Sequence, residues 1–244
     1  MTTNKSKDVS PHLLGRLATF QSRRGLLGLK VNLSLRRLAW RRLVGGAEIA
    51  KRALDVVGSL AALLVLSPLL ILVGALVRLD GGPIIFAQTR VGRYSREFKM
   101  FKFRSMRQDA EKHLAGLLAA NKHGGGITFK IKDDPRVTRI GRWLRRYSLD
   151  ELPQFYNVLI GDMSLVGPRP PVPREVALYS LADRRRLSVK PGITCIWQIS
   201  GRAEIDFPGQ VLLDVGYIES QSLGKDIKII AKTPRAVVFG PGAY

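Results

Sequence analysis

Asp150 and Glu151 stand side by side, and Arg139, Arg142, Arg145 and Arg146 precede Glu151 within twelve residues. Adjacent carboxylates can hold a hard divalent cation or supply a nucleophile, and guanidinium groups bind phosphate. Together they suit a metal-bound phosphate. The same residues also have a purely structural explanation. Ser148-Leu149-Asp150-Glu151 fits a capping box, in which the serine caps a helix and the glutamate reaches back, and Pro153 fits the first turn of a helix capped by Asp150 itself. In either register, helix N–H groups converge beside the two acids, so phosphate chemistry and a capped helix with a basic face both remain open.

A second constellation lies downstream. Gly161 marks a helix stop, and Gly167-Pro168-Arg169-Pro170-Pro171 holds an arginine between prolines of fixed φ. A guanidinium presented by so stiff a loop loses little entropy on meeting a phosphate or a planar base. An ordinary proline-rich turn is the alternative.

These residues must be carried by a scaffold, whose class follows from composition. The 244 residues include 40 Lys+Arg and 19 Asp+Glu, for a formal net charge of +21, and 45% are hydrophobic, too many for a disordered basic tail. A single cysteine, Cys195, and three scattered histidines exclude a disulfide scaffold and a zinc module. A nucleic-acid binder, a membrane-surface protein and an enzyme acting on anionic substrates remain. Residues 1–52 hold twelve Lys or Arg against two acids, interleaved with leucines and aromatics, as in basic amphipathic segments on anionic lipid. From Val56 to Val77 run 22 residues without a charge, roughly 33 Å as one straight helix.

Ser67-Pro68 falls in the middle of that run, where proline removes a helix hydrogen bond, and bases flank both ends: Lys51 and Arg52 before, Arg78, Arg90, Arg93 and Arg96 after. The positive-inside rule then has no preferred direction. A re-entrant helix-break-helix dipping into one leaflet is favoured over a kinked single span, with the Ser67 hydroxyl or neighbouring helices as partners for backbone groups freed at the break. Beyond Gly81-Gly82-Pro83, residues 84–88 and 97–103 read as short strands around a loop containing Gly92, and 105–120 as a helix ended by Asn121 and the glycines 124–126.

The chain resembles the bacterial sugar transferase family, the monotopic phosphoglycosyl transferases. The resemblance is carried by KRALD (51–55), Ser67-Pro68, KFRSM (102–106), the run 134–170, KPGIT (190–194), WQISGR (197–202) and LDVGYI (213–218), and the tail Gly242-Ala243-Tyr244 is similar to the short exopolysaccharide-initiating members. It implies an α-rich α+β fold: a basic amphipathic arm over 1–50, a re-entrant membrane helix over 51–80, amphipathic interfacial helices, and a small cytoplasmic catalytic domain with minor β structure over 81–244. It also implies transfer of a sugar-1-phosphate from a UDP-sugar to polyprenyl (undecaprenyl) phosphate at the cytoplasmic face of a bacterial inner membrane, with release of UMP.

By the same resemblance Asp150 is the nucleophile of a covalent phosphosugar intermediate, Glu151 the ligand of Mg²⁺, and Arg145, with Lys102 and Arg104, the phosphate-binding set. Pro168, Arg169 and Pro170 face the nucleotide, and Lys51, Arg52, Ser67 and Pro68 set the re-entrant helix. Asp109, Arg136, Gln198, Arg202 and Asp214 match family motifs. Anionic lipids are expected partners, nucleic acid is not, and a homo-oligomer is left open. Two features depart from the family pattern: Cys195 replaces an expected glycine, and the basic arm has no counterpart in the smallest members. A non-catalytic membrane scaffold and a nucleic-acid-binding protein are the competing functional classes.

Overall fold

A computed structural model describes residues 45–110, 134–201 and 204–239. The basic arm to residue 44, most of the expected helix over 105–120, the glycines 124–126, Arg202 and the tail 240–244 lie outside the described residues. Two compact units divide the chain, residues 1–50 and 51–244.

The long apolar run folds as two helices, α1 (Gly45–Val65) and α2 (Ser67–Leu79), bent by 63° where they meet. Pro68 sits in the first turn of α2, where its missing N–H costs nothing, and the Ser67 hydroxyl donates to Leu64 O at 2.8 Å, as the sequence requires at such a break. Neither helix alone is long and apolar enough to cross a bilayer, whereas the bent pair is by length and composition. Val73 and Val77 of α2 are buried, while Val57, Leu64, Val65, Ile71 and Leu79 are more than 60% exposed.

The strands β1 (Ile85–Val91) and β2 (Glu97–Phe103) form an antiparallel hairpin in the register Ile85↔Phe103 to Val91↔Glu97. β2 has the expected bounds, and β1 extends three residues beyond residue 88 because Thr89, Arg90 and Val91 continue the pairing. The mixed alternation of β2 has a physical cause. Met100 packs against Val158, Met163 and Leu165, while Phe103, on the other face, packs against Val73, Val77 and Leu144, so the strand separates two apolar clusters.

The expected helix does not begin at Ser105. Met106 instead makes an antiparallel bridge to Val137, and Thr138 N donates to Ser105 O, because the chain returns here to start α3 (Arg139–Arg146). Thr138 caps α3 through Gly141 N, one face buries Gly141 and Leu144, and Arg142, Trp143 and Arg146 are exposed. A 3₁₀ turn (Leu149–Glu151) leads into α4 (Gln154–Ile160), which ends on left-handed Gly161 (φ 97°).

β3 (Ser164–Val166) pairs in parallel with β4 (Gly192–Thr194), and between them lie the one-turn helix α5 (Pro173–Val176) and a 3₁₀ turn over Asp183–Ser188. The pair is so close that a Cβ on Gly192 would stand 2.1 Å from Gly167 N. α6 (Ile196–Ser200), α7 (Phe207–Glu219) and α8 (Leu223–Phe239) follow, so the described residues are mostly helical with two two-stranded sheets among them.

Candidate active site

Neither acid caps a helix. Ser148 adopts a left-handed conformation (φ 54°, ψ 24°) and makes no side-chain cap, and α4 begins after Pro153, likewise without one. The 3₁₀ turn instead aims the Glu151 carboxylate at β2 and at the proline loop, and it sets Asp150 within electrostatic reach of Lys102, Arg145 and Arg169. Glu151 Oε1 accepts from Lys102 Nζ at 2.7 Å and from Arg169 Nη1 at 3.3 Å. Asp150 is 8% exposed, and its carboxylate accepts no hydrogen bond among the described residues. The residue is buried but its oxygens are not sealed from solvent, so a carboxylate so placed can meet a group that arrives from outside.

The electrostatics separate the two acids. Burial pushes the Asp150 carboxyl up, and the Glu151 charge beside it adds to the rise, against the pull of Lys102, Arg145 and Arg169. Burial acts on Glu151 in the same sense, but Lys102, Arg169 and Arg90 outweigh it and hold Glu151 well below the usual carboxylate range. Burial pushes the Lys102 ammonium down while Glu151 pulls it back up. Glu151 raises Arg169. Glu151 is thus the fixed anion of the cluster, and Asp150 is the acid of the pair whose charge burial disfavours.

Each element is pinned. Asn157 of α4, fully buried, accepts from Phe101 N at 2.9 Å and donates to Lys99 O at 2.7 Å, which locks β2 and therefore Lys102 against the carboxylate turn. The proline loop is held from both sides: Gly192 N donates to Pro168 O at 2.9 Å, Val91 N to Pro171 O at 2.9 Å, and Arg90 Nη1 to Pro170 O at 2.8 Å. The Arg90 guanidinium also grips Gln88 Oε1, and burial together with neighbouring Arg169 lowers its pKa to about 10.

Asp150, Glu151, Lys102 and Arg169 are therefore gathered in one place, flanked by Pro168 and Pro170, with Arg145 acting on Asp150 through space from the last turn of α3. Other motif residues lie elsewhere. Arg104 donates to Pro83 O and lines a separate cleft with Asp80, Gly81 and Gln108. Asp109 sits in the turn beyond Met106, and Arg136 is buried against Asp134, with bonds of 2.9 and 2.6 Å. Asp214 pairs with buried Arg186 at 2.7 Å, and burial raises its carboxyl to about 6 despite that partner. Gln198 accepts from the Cys195 thiol at 3.1 Å. Cys195 replaces the expected glycine without strain, because its backbone is extended (φ −148°).

Lys51 and Arg52 turn inward. Lys51 meets Asp226 at 2.7 Å, and Arg52 donates to Val158 O and Leu159 O. The sequence marks Arg90 only as one of the bases after the apolar run and does not mark Asn157, so the place of both at the site is new. A basic residue in a strand that runs on past residue 88 was the available signal for Arg90, and no spacing signalled that Asn157 would staple a helix to a strand edge.

The family described as bacterial sugar transferase matches residues 46–240. Over 196 residues the chain is 54% identical to the galactosyl transferase CpsE of Streptococcus agalactiae, a match covering 80% of this chain and 43% of that protein. It is 43% identical over 201 residues to the undecaprenyl-phosphate galactose phosphotransferase of Salmonella typhimurium, covering 81% and 42%. It is 42% identical over 207 residues to the exopolysaccharide production protein ExoY of Sinorhizobium fredii, covering 83% and 91%. The chain thus spans under half the length of the first two relatives and most of the third.

Proposed function

The chain belongs to the bacterial sugar transferase family, and we propose that it transfers a sugar-1-phosphate from a UDP-sugar to polyprenyl phosphate, with Asp150 as nucleophile. The observation that carries this reading is the contrast within the acidic pair: Glu151 is ion-paired twice, whereas the buried Asp150 carboxylate has no hydrogen-bond partner among the described residues. The names of the relatives from Salmonella typhimurium and Komagataeibacter xylinus, undecaprenyl-phosphate galactose and glucose phosphotransferases, supply the acceptor class, and UDP-galactose appears in the name of a relative from Erwinia amylovora.

An Asp150 carboxylate oxygen attacks the phosphorus that bears the sugar. A new P–O bond forms to Asp150, the bond from that phosphorus to the bridging oxygen breaks, and UMP leaves with the electron pair. A phosphate oxygen of the lipid then attacks the same phosphorus and frees Asp150, giving polyprenyl-diphosphate-sugar. A carboxylate needs no base at neutral pH, and removal from water leaves Asp150 less solvated and more nucleophilic. Lys102, Arg169, Arg145 and Arg90 offset the charge of an incoming diphosphate that would otherwise repel it.

The donor set fits Mg²⁺. Two hard carboxylates are adjacent, and Glu151 Oε2 and both Asp150 oxygens accept no hydrogen bond among the described residues. No group of three or more potential ligand side chains is gathered among the described residues, so Glu151 would hold the ion together with substrate phosphates. The ion would supply neutralisation of diphosphate charge.

The acceptor's tail is lipid, so the site must lie at a membrane. The exposed apolar residues around the 63° bend, with α3 presenting Trp143 among arginines, support a re-entrant helix dipping into the cytoplasmic leaflet. A screen of UDP-sugars with polyprenyl phosphate tests the function: one sugar should give UMP release beyond one equivalent of enzyme that depends on both the lipid phosphate and Asp150. UMP release from none of them would refute the proposal.

A further inference from the structure

Lys51 and Arg52 carry the charges expected to meet lipid headgroups, yet both are engaged by the interior of the domain. The three ammonium protons of Lys51 have three acceptors: Val166 O at 3.1 Å, Tyr217 Oη at 3.3 Å and Asp226 Oδ2 at 2.7 Å. Tyr217 Oη in turn donates to Asp226 Oδ1 at 2.6 Å, and both residues are buried. Arg52 donates to Val158 O and Leu159 O at 2.7 and 2.8 Å, in the last turn of α4, where Val158 O also accepts from Gly161 N at 3.1 Å. One turn on, buried Asp55 accepts from Ser164 Oγ and Leu165 N, both at 2.9 Å. At Gly58 a Cβ would stand 2.7 Å from Leu165 Cδ1, so α1 lies directly on β3.

The two elements held this way are the two that carry the reactive groups. α4 follows Asp150 and Glu151 after Leu152-Pro153 and is a single short rod, so fixing its last turn fixes its first. β3 runs straight into Gly167-Pro168-Arg169. Their loops meet in the 3.3 Å contact between Glu151 and Arg169. Asp55 grips β3, Lys51 ties the end of β3 to α7 and α8, and Arg52 grips α4.

We propose that Lys51, Arg52 and Asp55 are positioning residues: the stem of the bent helix sets the distance between the carboxylate turn and the Arg169 loop. The membrane helix is then a strut of the active site as well as an anchor. The kinetic part of this inference rests on the reading of Asp150 and Arg169 given above, and the structural part does not.

The test uses the full chain in nanodiscs containing anionic lipid, with Lys51→Met as the principal variant and Arg52→Gln and Asp55→Asn read alongside it. Amide exchange over residues 164–170 should speed up about tenfold or more in Lys51→Met, with the hairpin 85–103 unchanged and flotation with vesicles unchanged. Lys51→Met should lower kcat by about tenfold to a hundredfold in the natural background, but by less than about twofold when Arg169→Ala is already present. Unchanged exchange over 164–170, or kinetic losses that simply multiply, would overturn the proposal. Loss of flotation with an unaltered loop would leave Lys51 as an anchor only. If Lys51→Met does not fold, Asp55→Asn decides by the same readings, and Arg52→Gln by faster exchange over residues 150–160 together with the same kinetic test. If the natural chain releases no UMP, the function falls, while the exchange measurement still decides whether the helix stem holds the loop.

Discussion

Replacing Glu151 by Gln keeps an acceptor at the centre of the cluster and removes only its charge. Lys102, 14% exposed, then loses the anion 2.7 Å away, and Arg169 loses a weaker contact at 3.3 Å. Removing one partner of a buried pair costs about 3–5 kcal/mol, and the low end applies here because Arg169, at 36% exposure, is largely screened. For a chain of this size each kcal/mol shifts Tm by about 2–4 °C, so a cost of about 3 kcal/mol lowers Tm by about 6–12 °C at pH 7. The loss has a characteristic pH dependence. Burial already lowers Lys102, and without Glu151 to raise it the folded protein releases that proton at still lower pH than the unfolded chain, whose lysine holds it to about 10.4. Where the unfolded state binds more protons, stability rises with pH. The Tm deficit of Glu151→Gln should therefore be largest near neutrality and shrink towards pH 10, and Lys102→Met added to it should recover most of the loss. Thermal unfolding in detergent from pH 6 to pH 10 measures this. A deficit under about 2 °C at pH 7, or one that widens with pH, would refute the assignment of Glu151 as the fixed anion.

Three further outcomes are expected. Because burial raises Asp150, its charge costs stability above the usual aspartate pKa, so Asp150→Asn should match or exceed the natural Tm at pH 7, lose that advantage below about pH 4, and show no transfer; a large drop in Tm would assign Asp150 a structural role. Glu151→Gln should require at least about tenfold more Mg²⁺ for half-maximal residual activity, read by titration, and an unchanged midpoint would remove Glu151 from the ion. Cysteines placed at exposed Ile49 and Leu79 in a Cys195→Ser background should both be labelled only from the cytoplasmic side, with Pro68→Ala moving some molecules to a spanning state; labelling from opposite sides would establish a span.

What could be read from sequence was local. Ser67-Pro68 announces the bend because proline chemistry acts within one turn, and β2 shows its bounds through its own side chains. The adjacency of Asp150 and Glu151 is visible, but their roles are not, since the capping pattern around Ser148 looks identical whether or not the serine turns left-handed. The partners that decide those roles are distant in the chain: Lys102 is 49 residues from Glu151, and Lys51 is 175 from Asp226. The three-residue strands β3 and β4 are too short to show a period, yet they orient the Arg169 loop. Lys51 and Arg52 were legible as charges and not as struts, because flanking bases read the same in either role.

Incubation of the full chain with the correct UDP-sugar and Mg²⁺, without lipid acceptor, tests the central claim most directly. A nucleophilic Asp150 predicts a burst of about one equivalent of UMP and the added mass of a sugar phosphate on the peptide containing Asp150. Neither burst nor adduct, with a sugar that turns over once polyprenyl phosphate is added, would contradict it and leave direct attack by the lipid phosphate as the route.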